Sequence, residues 1–81
     1  MVNLQHGEVA NLDPRTVFGR RLRKVRLERG LSQEKLAGVS DLHRNYAGGV
    51  ERGERNVSLL KIAKLARRLK VRLSKLVESI Q

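Results

Sequence analysis

The sequence predicts an all-α domain of five short helices. Three observations carry that expectation. Apolar residues recur every three or four positions along most of the chain, which places them on one face of a helix. Residues suited to cap helices stand directly before those runs. Alternation of apolar and polar residues is sparse, and so are β-branched runs, so no strand pattern competes.

Residues 1–12 show no clear period and read as a flexible N-terminal arm, with the folded domain expected over 13–81. Asp13-Pro14 is a helix start: a carboxylate cap is followed by a proline whose missing N–H is harmless in a first turn. Phe18, Leu22 and Val25 then recur at helical spacing, and Gly30 ends the run. Ser32 is expected to cap a second helix with Leu36 and Ala37 inward and Gln33, Glu34 and Lys35 outward. A break is read from Gly38 to Asp41. Leu42, Tyr46 and Val50 stand four apart and form one stripe of a third helix, whose opposite face carries Arg44, Asn45, Gly48 and Gly49. Gly53 and the polar run to Asn56 form a loop. Ser58 caps a fourth helix with Leu59, Ile62, Ala63, Leu65, Ala66 and Leu69 facing the core. Its wet side carries Lys61, Lys64 and Arg68. Ser74 is read as the cap of a last short helix bearing Leu76, Val77 and Ile80.

Composition narrows the function. A chain of 81 residues holds one domain with a thin stability margin. It has no cysteine, and its two histidines, His6 and His43, fit no ligand spacing, so neither a disulfide nor a metal is expected. Oligomerisation is the remaining support, and a homodimer is expected. The formal net charge is +10. Basic residues crowd two segments, Arg15 to Arg29 and Lys61 to Lys75. A solvated surface explains one such run; two in so short a chain favour a polyanionic partner. Only Phe18 and Tyr46 are aromatic, which argues against RNA or single-strand modules that stack bases. No stretch has the length of a membrane span or the features of a secretory signal, so a cytoplasmic location is expected. No paired acids, nucleophile beside a base, or phosphate loop suggests an enzyme. No cofactor and no small-molecule effector is expected.

Two short capped helices with a tight turn between them, the second bearing a polar face, make a helix-turn-helix. In that geometry the second helix enters the major groove, where base edges carry a distinct donor and acceptor code.

The residues Leu31-Ser32-Gln33-Glu34-Lys35-Leu36-Ala37, Leu42-His43-Arg44-Asn45-Tyr46, Val50-Glu51-Arg52-Gly53 and Arg55-Asn56-Val57-Ser58-Leu59 resemble the Cro/CI-type (Xre) helix-turn-helix family. The resemblance runs from about Phe18 to Val77 and implies a lambda-repressor-like DNA-binding domain. The stretch from Tyr46 to Leu59 most resembles controller proteins of restriction–modification operons. By that resemblance, Gln33 bonds a phosphate and braces the recognition helix, and Asn56 and Ser58 clamp a phosphate at a helix start. Arg44 and Asn45, with His43 at the cap, take the base-reading positions. Arg52 and Arg55 are phosphate contacts or solvated loop charges. Arg26 and Glu51 match an internal ion pair beneath the recognition helix.

The sequence also departs from the family. Asp41 replaces a turn glycine, and Ala47 replaces a larger aliphatic residue. Position 49, which often carries a long reading side chain in relatives, has none. Gly48 and Gly49 lie inside the third helix, where they either permit close approach to the duplex or merely weaken the helix. Leu73, Leu76, Val77 and Ile80 are the expected dimer surface, with closure of the core as the alternative. The expected function is a transcriptional regulator that binds specific double-stranded DNA, with an antitoxin-type module that chiefly binds a protein as the alternative. A long toxin-wrapping tail would favour the second reading, and none is expected here.

Overall fold

Asp13 starts the fold as its sequence requires. Its carboxylate accepts the Arg15 backbone N–H at 2.8 Å, and helix α1, Pro14–Glu28, opens with the proline. The computed structural model describes residues 12–40 and 42–80, with Arg44 described by its backbone alone. Apart from Leu12, the arm expected over residues 1–12 lies outside the described residues, and so does Asp41. Among the described residues four helices follow α1: α2, Gln33–Val39; α3, Arg44–Glu51; α4, Leu59–Leu69; and α5, Leu73–Val77. The described residues form no strand.

Chain reversals between helices use the residues that tolerate them. Gly30 takes a φ of +70°, and the next N–H, that of Leu31, donates to the Arg26 carbonyl at 3.1 Å. Ser32 Oγ accepts the Lys35 N–H at 3.0 Å and starts α2. That helix runs on through Gly38 to Val39, so the break is shorter than the sequence suggested. It begins at Ser40, whose N–H still bonds back to the Leu36 carbonyl. Leu42 precedes α3 rather than lying on it, yet like Tyr46 it packs against the core. A hydrogen bond of 2.8 Å from its N–H to the Ala37 carbonyl fixes the turn.

Phe18, Leu22 and Val25 of α1 meet Leu36, Val50, Leu65, Ala66, Leu69 and Leu76 in one core. Two expectations fail in α4 and α5. Leu59 is 69% exposed, because burial fades toward the N-terminal turn of α4. Leu65, Ala66 and Leu69 are buried, whereas Ile62 and Ala63 are half-buried. Ser74 does not cap α5: Lys70 reverses the chain in the left-handed region, φ 59°, and the helix already begins at Leu73. Arg72 occupies the cap position without a side-chain hydrogen bond.

The expected dimer surface also needs correction. Leu76 is 0% exposed, closed in by its own chain, and so has no area to offer a partner. Leu73, Val77 and Ile80 are half-buried against the same core. Ile80 folds back beside Phe18, Val57 and Ile62. Closing the core is therefore a main task of this segment, as expected for a chain too short to leave a helix unpacked.

Candidate nucleic-acid interface

α3 is fixed from beneath before it presents anything outward. α1 crosses it with no side chain between them at Gly19, where a Cβ would collide with the Val50 and Glu51 carbonyl oxygens. This glycine was missed in the sequence. Its signal is a glycine inside a helical run, a position with a helix-propensity cost that close packing can justify.

Arg26 of α1 reaches the C-terminal end of α3. Its Nε donates to Glu51 Oε2 at 2.6 Å and its Nη2 to Glu51 Oε1 at 3.1 Å, with both side chains largely buried. The third guanidinium nitrogen, Nη1, donates to the Leu31 carbonyl at 2.8 Å. Gln33 Nε2 adds a bond to Glu51 Oε1 at 2.9 Å. Four parts of the chain are tied through one ion pair: α1, the turn after it, whose carbonyl is held by Arg26, the first residue of α2 and the end of α3. Gln33 thus braces α3 from inside. Such a buried ionic network is satisfied only as a whole, so it holds one geometry.

The outer face of α3 begins at His43. The imidazole Nδ1 accepts the Asn45 backbone N–H at 3.3 Å, which leaves Nε2 as the donor nitrogen. His43 and Asn45 are both exposed, and Arg44 is the first residue of the helix. On the inner face Ala47 and Val50 are buried, and Tyr46 is half-buried.

Gly48 and Gly49 do not expose bare backbone. A Cβ on Gly48 would lie 3.2 Å from Arg52 Nη1 and 3.5 Å from Gln33 Oε1. One on Gly49 would lie 3.1 Å from Arg55 Nε and 3.2 Å from Arg55 Cγ. Both glycines are buried under these longer side chains. Direct approach of a duplex to the backbone here would first have to move two arginines.

The two arginines differ in their partners. Arg52 donates from Nε to Glu54 Oε2 at 3.0 Å and from Nη2 to Glu54 Oε1 at 3.2 Å. That guanidinium holds the Glu54 carboxyl below its ordinary range, mainly through the hydrogen bonds. The Arg55 guanidinium instead lies 5.5 Å from the centroid of the Tyr46 ring, which also carries the Lys61 ammonium at 4.3 Å. Asn56 and Ser58 are exposed on the approach to α4, but the Ser58 hydroxyl already caps that helix by accepting the Lys61 N–H at 3.2 Å.

The face formed by His43, Asn45, Arg52 and Arg55 is polar, cationic and backed by a fixed helix. It is suited to hydrogen bonding with an anionic, edge-bearing ligand. No described helix is long and apolar enough to cross a membrane.

The sequence profile of the family HTH_3, helix-turn-helix, matches residues 22–76. Control protein C.BamHI of Bacillus amyloliquefaciens is 50% identical over 58 residues, 70% of this chain and 72% of that protein. The crystal structure of the restriction-modification controller protein C.AhdI from Aeromonas hydrophila superposes with a TM-score of 0.75 at 55% identity, covering 76% of this chain and 94% of that one. The controller protein C.Esp1396I, in a structure of its tetramer with its natural 35 base-pair operator, superposes with a TM-score of 0.73 at 29% identity. That match covers 85% of this chain and 96% of the other.

Proposed function

Because the chain belongs to the HTH_3 helix-turn-helix family, we propose that it is a transcription regulator of the restriction–modification controller type. It binds specific double-stranded DNA as a homodimer. The observation that carries this reading is the outer face of α3, exposed at His43 and Asn45 and backed by the buried Arg26–Glu51 pair. A helix that must read base edges needs that combination, because misplacement of its side chains by an ångström loses the bidentate bonds.

Arg44 offers a guanidinium fork to guanine O6 and N7, and Asn45 an amide to adenine N6 and N7. His43 stands beside them with a donor nitrogen. Gln33, Arg52, Asn56 and Ser58 serve the phosphates on either side, which fix register without reading sequence. Two protomers place their α3 helices in successive major-groove segments about one turn apart. The remaining surface of Leu73, Val77 and Ile80 serves the contact between protomers. The solved operator complex of C.Esp1396I, an oligomer on DNA, supports this arrangement by likeness. The site of action is the cytoplasm, where the bacterial operator lies. Occupancy of a site near a promoter then sets transcription, with the protein's own concentration as the input.

Selection of bound sequences from a random duplex library tests the reading, with sedimentation of the free protein beside it. A short paired motif with two-fold symmetry is the expected outcome. An unenriched library, or a protein that stays monomeric with and without DNA, overturns it.

A further inference from the structure

We propose that Gly49 is a positioning residue. It leaves a bare seat on the outer face of α3 in which the Arg55 side chain lies, so that an arginine from the following turn supplies the reading group that position 49 lacks. The inference rests on the DNA-reading function proposed above and assigns Arg55 to base edges rather than to phosphate.

Gly49 stands four residues after Asn45 and so shares its face of the helix. A residue there would normally project a side chain outward. Instead the position is buried, and what covers it is Arg55: Nε, Cγ and Cδ lie 3.1, 3.2 and 3.7 Å from where a Cβ would stand. The arginine stem crosses the helix through the volume that any larger residue would fill. Helix propensity alone disfavours glycine at this site, so the seat is a local sacrifice that needs a reason.

The seat also aims the head group. With its stem on Gly49, Arg55 brings its guanidinium to 5.5 Å from the Tyr46 ring, whose electron-rich face attracts a cation. Tyr46 is itself held, half-buried against the core. An arginine on a turn would otherwise lose several rotatable bonds of freedom on binding. Lying on a fixed helix and a fixed ring, it has lost part of that freedom already. The planar five-donor fork is the group that fits guanine O6 and N7. Gly48 seats Arg52 in a similar way, but Arg52 is already paired in two bonds with Glu54. Among the described residues Arg55 has no such carboxylate bond, and it is the better reader.

A double-mutant cycle tests the proposal. The full chain, Gly49→Ala, Arg55→Ala and the double variant are titrated with a selected duplex and with a scrambled one, and thermal unfolding of each is recorded. Arg55→Ala should weaken binding to the selected duplex about tenfold and relax preference at one base pair. Gly49→Ala should weaken it several-fold when Arg55 is present and leave it unchanged when Arg55 is absent, with a midpoint of unfolding equal to or above that of the parent. Equal losses from Gly49→Ala in both backgrounds would mean that the glycine makes room for the duplex itself, and would overturn the seat. Undiminished binding by Gly49→Ala, or equal losses of Arg55→Ala on the two duplexes, would overturn it as well. A parent protein that binds both duplexes alike would sink the DNA-reading function and this inference with it, whereas a selective parent with no cycle coupling sinks this inference alone.

Discussion

Arg26 and Glu51 meet in a two-pronged bond of 2.6 and 3.1 Å, and the carboxylate that receives Arg26 also receives Gln33. The pair joins the first helix to the end of the recognition helix. Removing one member strands the other charge in a site where water cannot replace it. Glu51→Ala is therefore expected to cost about 3–5 kcal/mol in urea unfolding. An unchanged midpoint would show that the pair contributes nothing to stability.

Gly19 supplies a second structural test with an unusual sign. Alanine is the better helix former, and in open space it would stabilise α1. Here its methyl group would meet the Val50 and Glu51 carbonyl oxygens, backbone atoms that cannot swing aside. Gly19→Ala should destabilise the protein by about 1–3 kcal/mol, the usual range for overpacking. Thermal unfolding that moves upward would show that α1 and α3 have room to separate.

Arg44 is placed by the backbone at the first turn of α3. If it reads a guanine, Arg44→Ala should lose about 1–3 kcal/mol on the selected duplex and become indifferent at one base pair. Titrations against duplexes altered one pair at a time measure this. A uniform loss across all of them would assign Arg44 to phosphate.

The charge of +10 makes affinity depend on salt. The logarithm of the binding constant should fall linearly with that of salt concentration, with a slope of about −0.9 for each phosphate neutralised. Arg52→Ala should make that slope shallower by about one such contact. A flat salt response would count against the cationic face as the source of affinity.

Asp13 offers a pH test outside the DNA-binding face. The Arg15 side-chain hydrogen bonds, and then the Arg15 backbone N–H, bring its pKa down from 3.8 to about 2. A depressed folded-state value means that the cap's contribution is present above pH 3.8 and is lost as pH falls through 2. Carboxyl NMR should find Asp13 titrating near the lower value in the parent. It should move toward its ordinary range in Arg15→Ala. An ordinary value in the parent would show that Arg15 does not hold the carboxylate in solution.

Much of the architecture could be read from local signals. Ser32 and Ser58 cap the helices they precede, Asp13-Pro14 opens the first, and the spacing of Phe18, Leu22 and Val25 marks its buried face. These features act within a turn or two of chain, where hydrogen-bonding reach and the 3.6-residue period leave few alternatives. Leu59 departs from its expected burial because periodicity says which face a residue occupies, not where along the helix the core ends. Ser74 lies inside α5 because Lys70 reverses the chain and lets the helix begin at Leu73.

By itself, then, the sequence determined five helices, the caps of the first four and a cationic helix-turn-helix, because each follows from neighbours in the chain. Only the tertiary structure decided that Leu76 belongs to its own core, that α1 needs Gly19 to touch α3, and that Arg52 and Arg55 cover Gly48 and Gly49. Those outcomes depend on atoms brought together by packing, from opposite ends of the domain or across a turn. Whether a side chain there finds space or a collision is set by distances that no local pattern encodes.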